Sequence, residues 1–581
     1  MSGSRLATTT ILAAMVVGGC ADGTPSAGWR LDATLADAGS GIPFCDEVTA
    51  NVADFMSQYE GQAPPSDRYG GTAVVGNANE LQGGMNGLVS STDDSMQNQI
   101  YVNLMTLLQY DEDLNAVPYL AESWEVSDDA SEITFHIRND VYWHVGELTD
   151  VYDVAFTYER VIDPATAFPT RYLWSNWDQN PGTVEVVDSF TVRFRMTPHA
   201  DYLDTWRQLP IMPEHLLGDV APADLTEHPF GTACPVGNGP FVFVQHRQGA
   251  AWTFQANPAF PDALGGRPYV DRLVYRVIAE QTTLLAELLT GGLDVYIAPT
   301  PDQVQAILDA PDVEFLRFPT RQFNFIVWNA REPQLADKRV RQAIARGMDR
   351  QEIVDAVVQG YGILANGSVP PFHWAYDATV GEGAMSYDRD AARALLDDAG
   401  WIDRDGDGVR ENVRGDRLSL SLMYHPTQQR QDMAEITQAQ LGEIGIEVSP
   451  VAVDFTTLVS QLTDPTAREF DGAVMAFNVD FRIDDTGLFH SKEIDGANAW
   501  SGTNRPDIDA YLDRIPLIFD RDEARVAWSE YQALLIDEQP YTFFYFPERL
   551  IGKRARLEGV VMDARGEWLN AKDWWISADQ R

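Results

Sequence analysis

The sequence predicts an α/β fold, and three observations carry that reading. The chain has 581 residues, 45% of them hydrophobic, enough to fill two or three packed lobes. Ile133-Thr-Phe-His-Ile137 alternates apolar and polar side chains, the period of a half-buried strand. Glu147 to Val161 then opens acidic and continues with the apolar spacing of a helix.

From the N-terminus, Arg5 is a thin positive start, Leu6 to Val17 is a short apolar run, and Val17-Gly-Gly-Cys20 ends it with small residues before a cysteine. The run is too short to span a bilayer and reads as a secretory signal over 1–19. The Val-Gly-Gly-Cys ending resembles a bacterial lipobox, which implies diacylglycerol on the Cys20 sulfur. The alternative is an ordinary signal peptide with a chance cysteine. Residues 20–69, rich in Ala, Gly and Asp to about Pro65, lack steady periodicity and read as a tether. No later segment offers the roughly 18 apolar residues of a membrane span, so any pore belongs to other subunits. Cys45 and Cys234 remain. In an oxidising compartment they are expected to pair, the alternative being two separate buried thiols.

The net charge of -45 repels nucleic acid and anionic lipid headgroups, which excludes both as partners. Only Lys338, Lys492, Lys553 and Lys572 are lysines. An acidic face of this kind is first of all a solvated, soluble one.

Further along, Pro235-Val-Gly-Asn-Gly-Pro-Phe241 reads as a tight bend before a strand, with glycines at its corner. Residues 338–360 read as two helical runs. Val340, Ile344 and Met348 share a face in the first, and Asp349 with Glu352 restarts the second, which Gly360 stops. Residues 387–401 repeat this logic with Asp388 as cap and Gly400 as stop.

Several of these stretches carry a more specific signal. Pro118-Tyr-Leu-Ala-Glu-Ser-Trp-Glu-Val-Ser-Asp-Asp129, the run to Val161, the 235–241 bend, LLTGGLDVYIAP (288–299), VRQAIARGMDR (340–350) and YDRDAARALLDDAGW (387–401) together resemble the extracytoplasmic peptide-binding proteins that feed oligopeptide, dipeptide and nickel importers. The resemblance runs from about residue 70 to about 560. It implies a two-lobed periplasmic-binding fold with an inserted subdomain. On that analogy lobe I combines 70–115, 235–318 and 540–581, the inserted subdomain covers 116–234, and lobe II covers 319–539. The hinge crossings then fall near Phe318-Pro319 and Pro540-Tyr541, and closure of the lobes over a ligand is the mechanism.

Asp403, Asp405 and Asp407, followed by Gly408, match the first half of a calcium loop, but the twelfth position is Arg414 where such a loop needs Glu. The stretch therefore reads as a polar turn, and no metal site is assigned. G-x-S-x-G, H-E-x-x-H, G-x-x-x-x-G-K and S-x-x-K are all missing, and the nine histidines lack metal-ligand spacing.

The resemblance places the ligand site in residues 473–491. In the peptide-binding branch a W-x-x-D segment here holds a peptide ammonium. This sequence has Phe477 at the Trp position and Asp480 three residues on. Asp480 is thus the expected anchor, a carboxylate able to make charge-assisted hydrogen bonds. A solvated loop aspartate is the competing reading. Trp500 stands as cleft wall or core aromatic, and Val89, Ser90 and Ser91 as the backbone partners of the ligand.

The implied function is a monomeric solute-binding protein outside the cytoplasm, in the periplasm or on the outer face of the membrane, held by its lipid alone. It would deliver oligopeptides, without a cofactor, to the permease and ATPase subunits of an ABC importer. The alternatives are an oligosaccharide, nickel chelate or haem as ligand, or a secreted hydrolase on the same scaffold.

Overall fold

One long strand, Tyr541–Arg554, ties the molecule together. It begins Tyr-Thr-Phe-Phe-Tyr-Phe, a largely aromatic run buried at every position, as suits a strand covered on both faces, and Pro547 interrupts it. In this computed structural model, which describes residues 29–36, 40–62, 66–89, 92–168, 184–196, 200–381, 383, 385–479 and 481–581, residues 541–545 pair antiparallel with Gln322–Trp328. Residues 548–554 pair instead with Val313–Pro319, and 551–553 with Val295–Ile297. One 12-stranded mixed sheet therefore runs through both lobes.

In lobe II the order outward from this strand is Gln322–Trp328, Gly472–Asn478, Ser419–Tyr424 and Glu447–Ala452. In lobe I it is Val295–Ile297, Thr72–Asn77, Arg272–Val277, Ala251–Ala256 and Phe241–Arg247. Along Gln322–Trp328, Phe323, Phe325 and Val327 enter one core while Ile326 and Trp328 enter the core on the opposite face. This is the period-2 alternation of a strand covered on both sides. The inserted subdomain is a separate four-stranded sheet, Ala121–Val126, Glu132–Ile137, Thr191–Arg195 and Val184–Asp188, backed by the helix Val151–Ile162.

The local signals act where the sequence placed them. Asp150 and Asp153 form a capping box at the start of Val151–Ile162. Asp349 accepts from the main-chain N–H groups of Gln351 and Glu352, and Asp388 from that of Ala391. Helices Arg350–Val358 and Arg389–Asp398 follow these two caps, and Asp337 caps Lys338–Gly347 by accepting from the Arg339 N–H.

Three expectations are corrected. The chain passes from lobe II pairing to lobe I pairing at Pro547, not at Pro540-Tyr541, because residues 541–545 are strand partners of lobe II. Pro547 has no N–H to give a neighbour, and its carbonyl accepts from the N–H and hydroxyl of Thr320 at 2.9 Å, which closes the crossing. The stretch expected to be a structureless tether holds the helix Pro43–Ser57, whose Cys45, Val48, Val52 and Met56 are buried against the inserted subdomain. Cys45 is joined by a disulfide to Cys234, with Cα atoms 5.4 Å apart. Finally, Gly237 and Gly239 serve close approach more than bending, since neither has positive φ and a Cβ on either would overlap the main chain of Asn103. Gly239 donates to the Asn103 carbonyl at 2.9 Å, while Asn238 accepts from the N–H of Met105.

Candidate functional site

A cavity of about 640 Å³ lies between the lobes, within the size range of small-ligand sites. Lobe I contributes Asn79, Asp93 and Asp94, lobe II contributes Tyr361 and Asn478, and the hinge supplies Arg321 and Arg549. Asp93 opens the helix Asp93–Asn98 and pairs with Arg321 at 2.5 Å and with Arg549 at 3.6 Å. Arg549 also pairs with the buried Glu567 at 2.7 Å; burial pushes the Glu567 carboxyl above the usual carboxylate range, and Arg549 opposes that. Asp94 accepts 2.9 Å hydrogen bonds from the amides of Asn77 and Asn79. These partners are neutral, and among the described residues no guanidinium pairs with Asp94.

The strand Gly472–Asn478 delivers the predicted segment to this cleft. Phe477 is half-buried and lines a second cavity of about 140 Å³, which ends on Asp485 and Leu488. Asn478 and Val479 line both cavities. The segment is fixed on either side of residue 480: Val479 donates to the Arg321 carbonyl at 2.8 Å, and the Phe481 carbonyl accepts from His373 Nε2 at 2.7 Å. Burial pushes His373 down to about 3, and its Nδ1 accepts from the Ala375 N–H, so the neutral ring carries its proton on Nε2.

Beyond that segment the lobes touch. Phe481 packs against Tyr110 and Leu114, and the Arg207 guanidinium lies 4.1 Å from the Phe481 ring centre and 4.6 Å from that of Tyr110. Trp374 of lobe II donates to Asp201 at 2.7 Å, Arg521 reaches the Leu114 carbonyl at 3.3 Å, and Tyr202 stacks on Phe519 at 4.9 Å. Burial raises the Asp201 carboxyl to about 6, with Arg521 and the Trp374 N–H opposing the shift.

Of the described residues expected at the site, Phe477 faces one of these two cavities and Trp500 and Val89 do not. Trp500 is 6% exposed, lies edge-on to Phe477 at 6.3 Å and parallel to Phe325, and donates its indole N–H to the Ala497 carbonyl. It is a core aromatic supporting Phe477 from behind. Val89 packs against the apolar cluster of the inserted subdomain and is absent from the lining of both cavities. Cys20, Ser90, Ser91 and Asp480 lie outside the described residues. Asp93, Asp94, Arg321 and Arg549 were not anticipated. The one local signal for them is the acidic pair two residues after Ser91, since hinge arginines 228 positions apart in sequence meet only through the fold.

Comparison with known proteins places this geometry. The chain is 29% identical over 513 residues to the oligopeptide-binding protein AppA of Bacillus subtilis (strain 168), covering 87% of this chain and 92% of that one. The structure of Bacillus subtilis AppA in complex with a nonapeptide superposes with a TM-score of 0.71 at 28% identity, covering 88% of this chain and 99% of AppA. NikZ from Campylobacter jejuni, in complex with Ni(L-His), shares the fold with a TM-score of 0.70 at 22% identity, over 88% and 100% of the two chains. With residues 115–496 matching its middle region, the chain belongs to family 5 of the bacterial extracellular solute-binding proteins.

Proposed function

We propose that this protein captures an oligopeptide between its lobes and delivers it, chemically unaltered, to the permease and ATPase subunits of an ABC importer. The observation that carries this reading is the 640 Å³ cavity walled by both lobes and floored by the two hinge crossings. A ligand held there contacts both lobes at once, so its binding free energy favours the closed arrangement. The names of the relatives point to peptides as ligand. In this reading Asp480 receives the peptide ammonium, flanked by the fixed Val479 and Phe481. Phe477 and the smaller cavity take a side chain, and the backbone of Ser90 and Ser91, next to a Val89 held in the apolar cluster of the inserted subdomain, pairs with the peptide main chain, which makes recognition tolerant of sequence. The protein works as a monomer outside the cytoplasm, tethered by a lipid on Cys20. Among the described residues no helix is long and apolar enough to cross a membrane.

The test is a calorimetric cycle with the parent and Asp480→Ala, each titrated with a peptide and its N-acetylated form. Leaving an ammonium unpaired in a closed cleft costs about 3–5 kcal/mol, so Asp480→Ala is expected to weaken binding at least about a hundredfold. Acetylation should weaken the parent comparably and add little in the variant, because both changes delete one interaction. Additive losses would move the anchor to Asp94, and failure of the parent to bind any peptide would contradict the reading.

A further inference from the structure

Between the helix Arg389–Asp398 and the strand Ser419–Tyr424, on lobe II and away from the cleft, the chain makes a tight loop from Asp403 to Glu411. Its neck is closed by paired main-chain hydrogen bonds between Ile402 and Glu411, 3.0 and 3.1 Å long. Gly406 and Gly408 sit at φ +80° and +93° with open space beside them, so the loop turns sharply and points Asp403, Asp405 and Asp407 to one side. Carboxylate oxygens of Asp403, Asp405, Asp407 and Glu411 all lie within 4.8 Å of one another.

An acidic cluster alone is commonplace on a chain of charge -45. Here a second observation accompanies it. Glu411 is only 6% exposed; its Oε2 accepts from the Arg404 N–H at 2.9 Å, while its Oε1 is buried without a hydrogen-bond partner. Buried carboxylate oxygens are ordinarily satisfied, and a buried carboxyl grouped with three others that keeps an oxygen unsatisfied lacks a cation. The arginines around the loop do not supply it to Glu411. Arg410 turns to Asp397 and to the carbonyls of Trp401 and Ile444, Arg414 pairs with Asp416, and Arg417 pairs with Asp407.

We propose that this loop is a calcium site, with Asp403, Asp405, Asp407 and Glu411 as its carboxylate ligands. An all-oxygen donor set selects a hard cation over zinc or nickel, and calcium's six to eight flexible ligand positions allow water and main-chain carbonyls to complete the shell on the exposed side. The spacing of the three aspartates follows the first half of a twelve-residue calcium loop; the fourth carboxylate comes from the ninth position, Glu411, folded inward by its pairing with Ile402, and not from the twelfth, which is Arg414. Bound calcium would hold the entry to the strand Ser419–Tyr424 without touching the ligand cleft.

The test uses the full chain stripped with a chelator and titrated calorimetrically with calcium chloride and, in parallel, magnesium chloride. One calcium per chain is expected, with a Kd of about 10⁻³ M or tighter, a rise in Tm on saturation, and magnesium binding about tenfold weaker or less. Glu411→Gln and, separately, Asp405→Ala should each weaken calcium binding about tenfold or more while leaving the circular dichroism spectrum unchanged. Asp405 is exposed, so that variant decides the matter even if the buried substitution disturbs folding. Absence of calcium binding, equal affinity for magnesium, or calcium binding that both variants retain would overturn the proposal.

Discussion

Asp485 is a carboxyl that the fold buries at a cost. It is 2% exposed and accepts hydrogen bonds from Ser368 at 2.6 Å and Tyr531 at 2.9 Å, yet burial raises it to about 6, with the neighbouring Asp484 adding repulsion. The folded carboxyl therefore binds its proton more tightly than the unfolded one, whose reference value is 3.8. Its contribution to stability is complete below 3.8 and is lost as pH rises through 6. Asp485→Asn, which keeps an oxygen for Ser368 and Tyr531, should raise stability at pH 7.5 by up to about 3 kcal/mol and bring no such gain at pH 4. Urea unfolding at the two pH values checks this, and an equal effect at both would contradict it. At this scale the sequence was most legible where a residue acts on its own neighbours. Asp349 and Asp388 cap helices because a short carboxylate reaches N–H groups two or three residues away. Trp500 was ambiguous because an aromatic that walls a cleft and one that fills a core look alike in sequence, and Asp94 was missed because its role depends on Asn77 and Asn79 folded against it.

Among the elements, the helix Pro43–Ser57 is held by contacts made far away in sequence. It lacks a side-chain cap at Ile42, and the preceding Ala, Gly and Asp residues hide the apolar stripe of Cys45, Val48, Val52 and Met56. The bond from Cys45 to Cys234 closes a separation of 189 residues, which restricts the unfolded chain. Replacing both cysteines by alanine should therefore cost about 2–4 kcal/mol in thermal or urea unfolding, and an unchanged stability would show that the helix docks without help from the bridge. The strand Tyr541–Arg554 misled in a different way. The crossing near Pro540-Tyr541 follows from the family analogy alone, whereas here Pro547 lies within a continuous strand where pairing passes from one lobe to the other.

For the molecule as a whole, the long strand and the Pro319–Gln322 turn connect lobe II to lobe I, and the contacts of Trp374 with Asp201 and of Arg521 with Leu114 join the two sides beyond the cleft. The two-lobed plan was legible because motif order survives along most of the chain. The lining of the cleft was not, since Asp93, Arg321 and Arg549 come together from 93, 321 and 549 only when the sheet is assembled. The central claim is that this cleft closes on an intact peptide. Native mass spectrometry of the protein as purified from cells tests it most directly. A bound mass is expected that leaves on unfolding and whose fragments read as an unmodified amino-acid sequence. A retained sugar, metal chelate or haem, or conversion of an added peptide to smaller products, would contradict it.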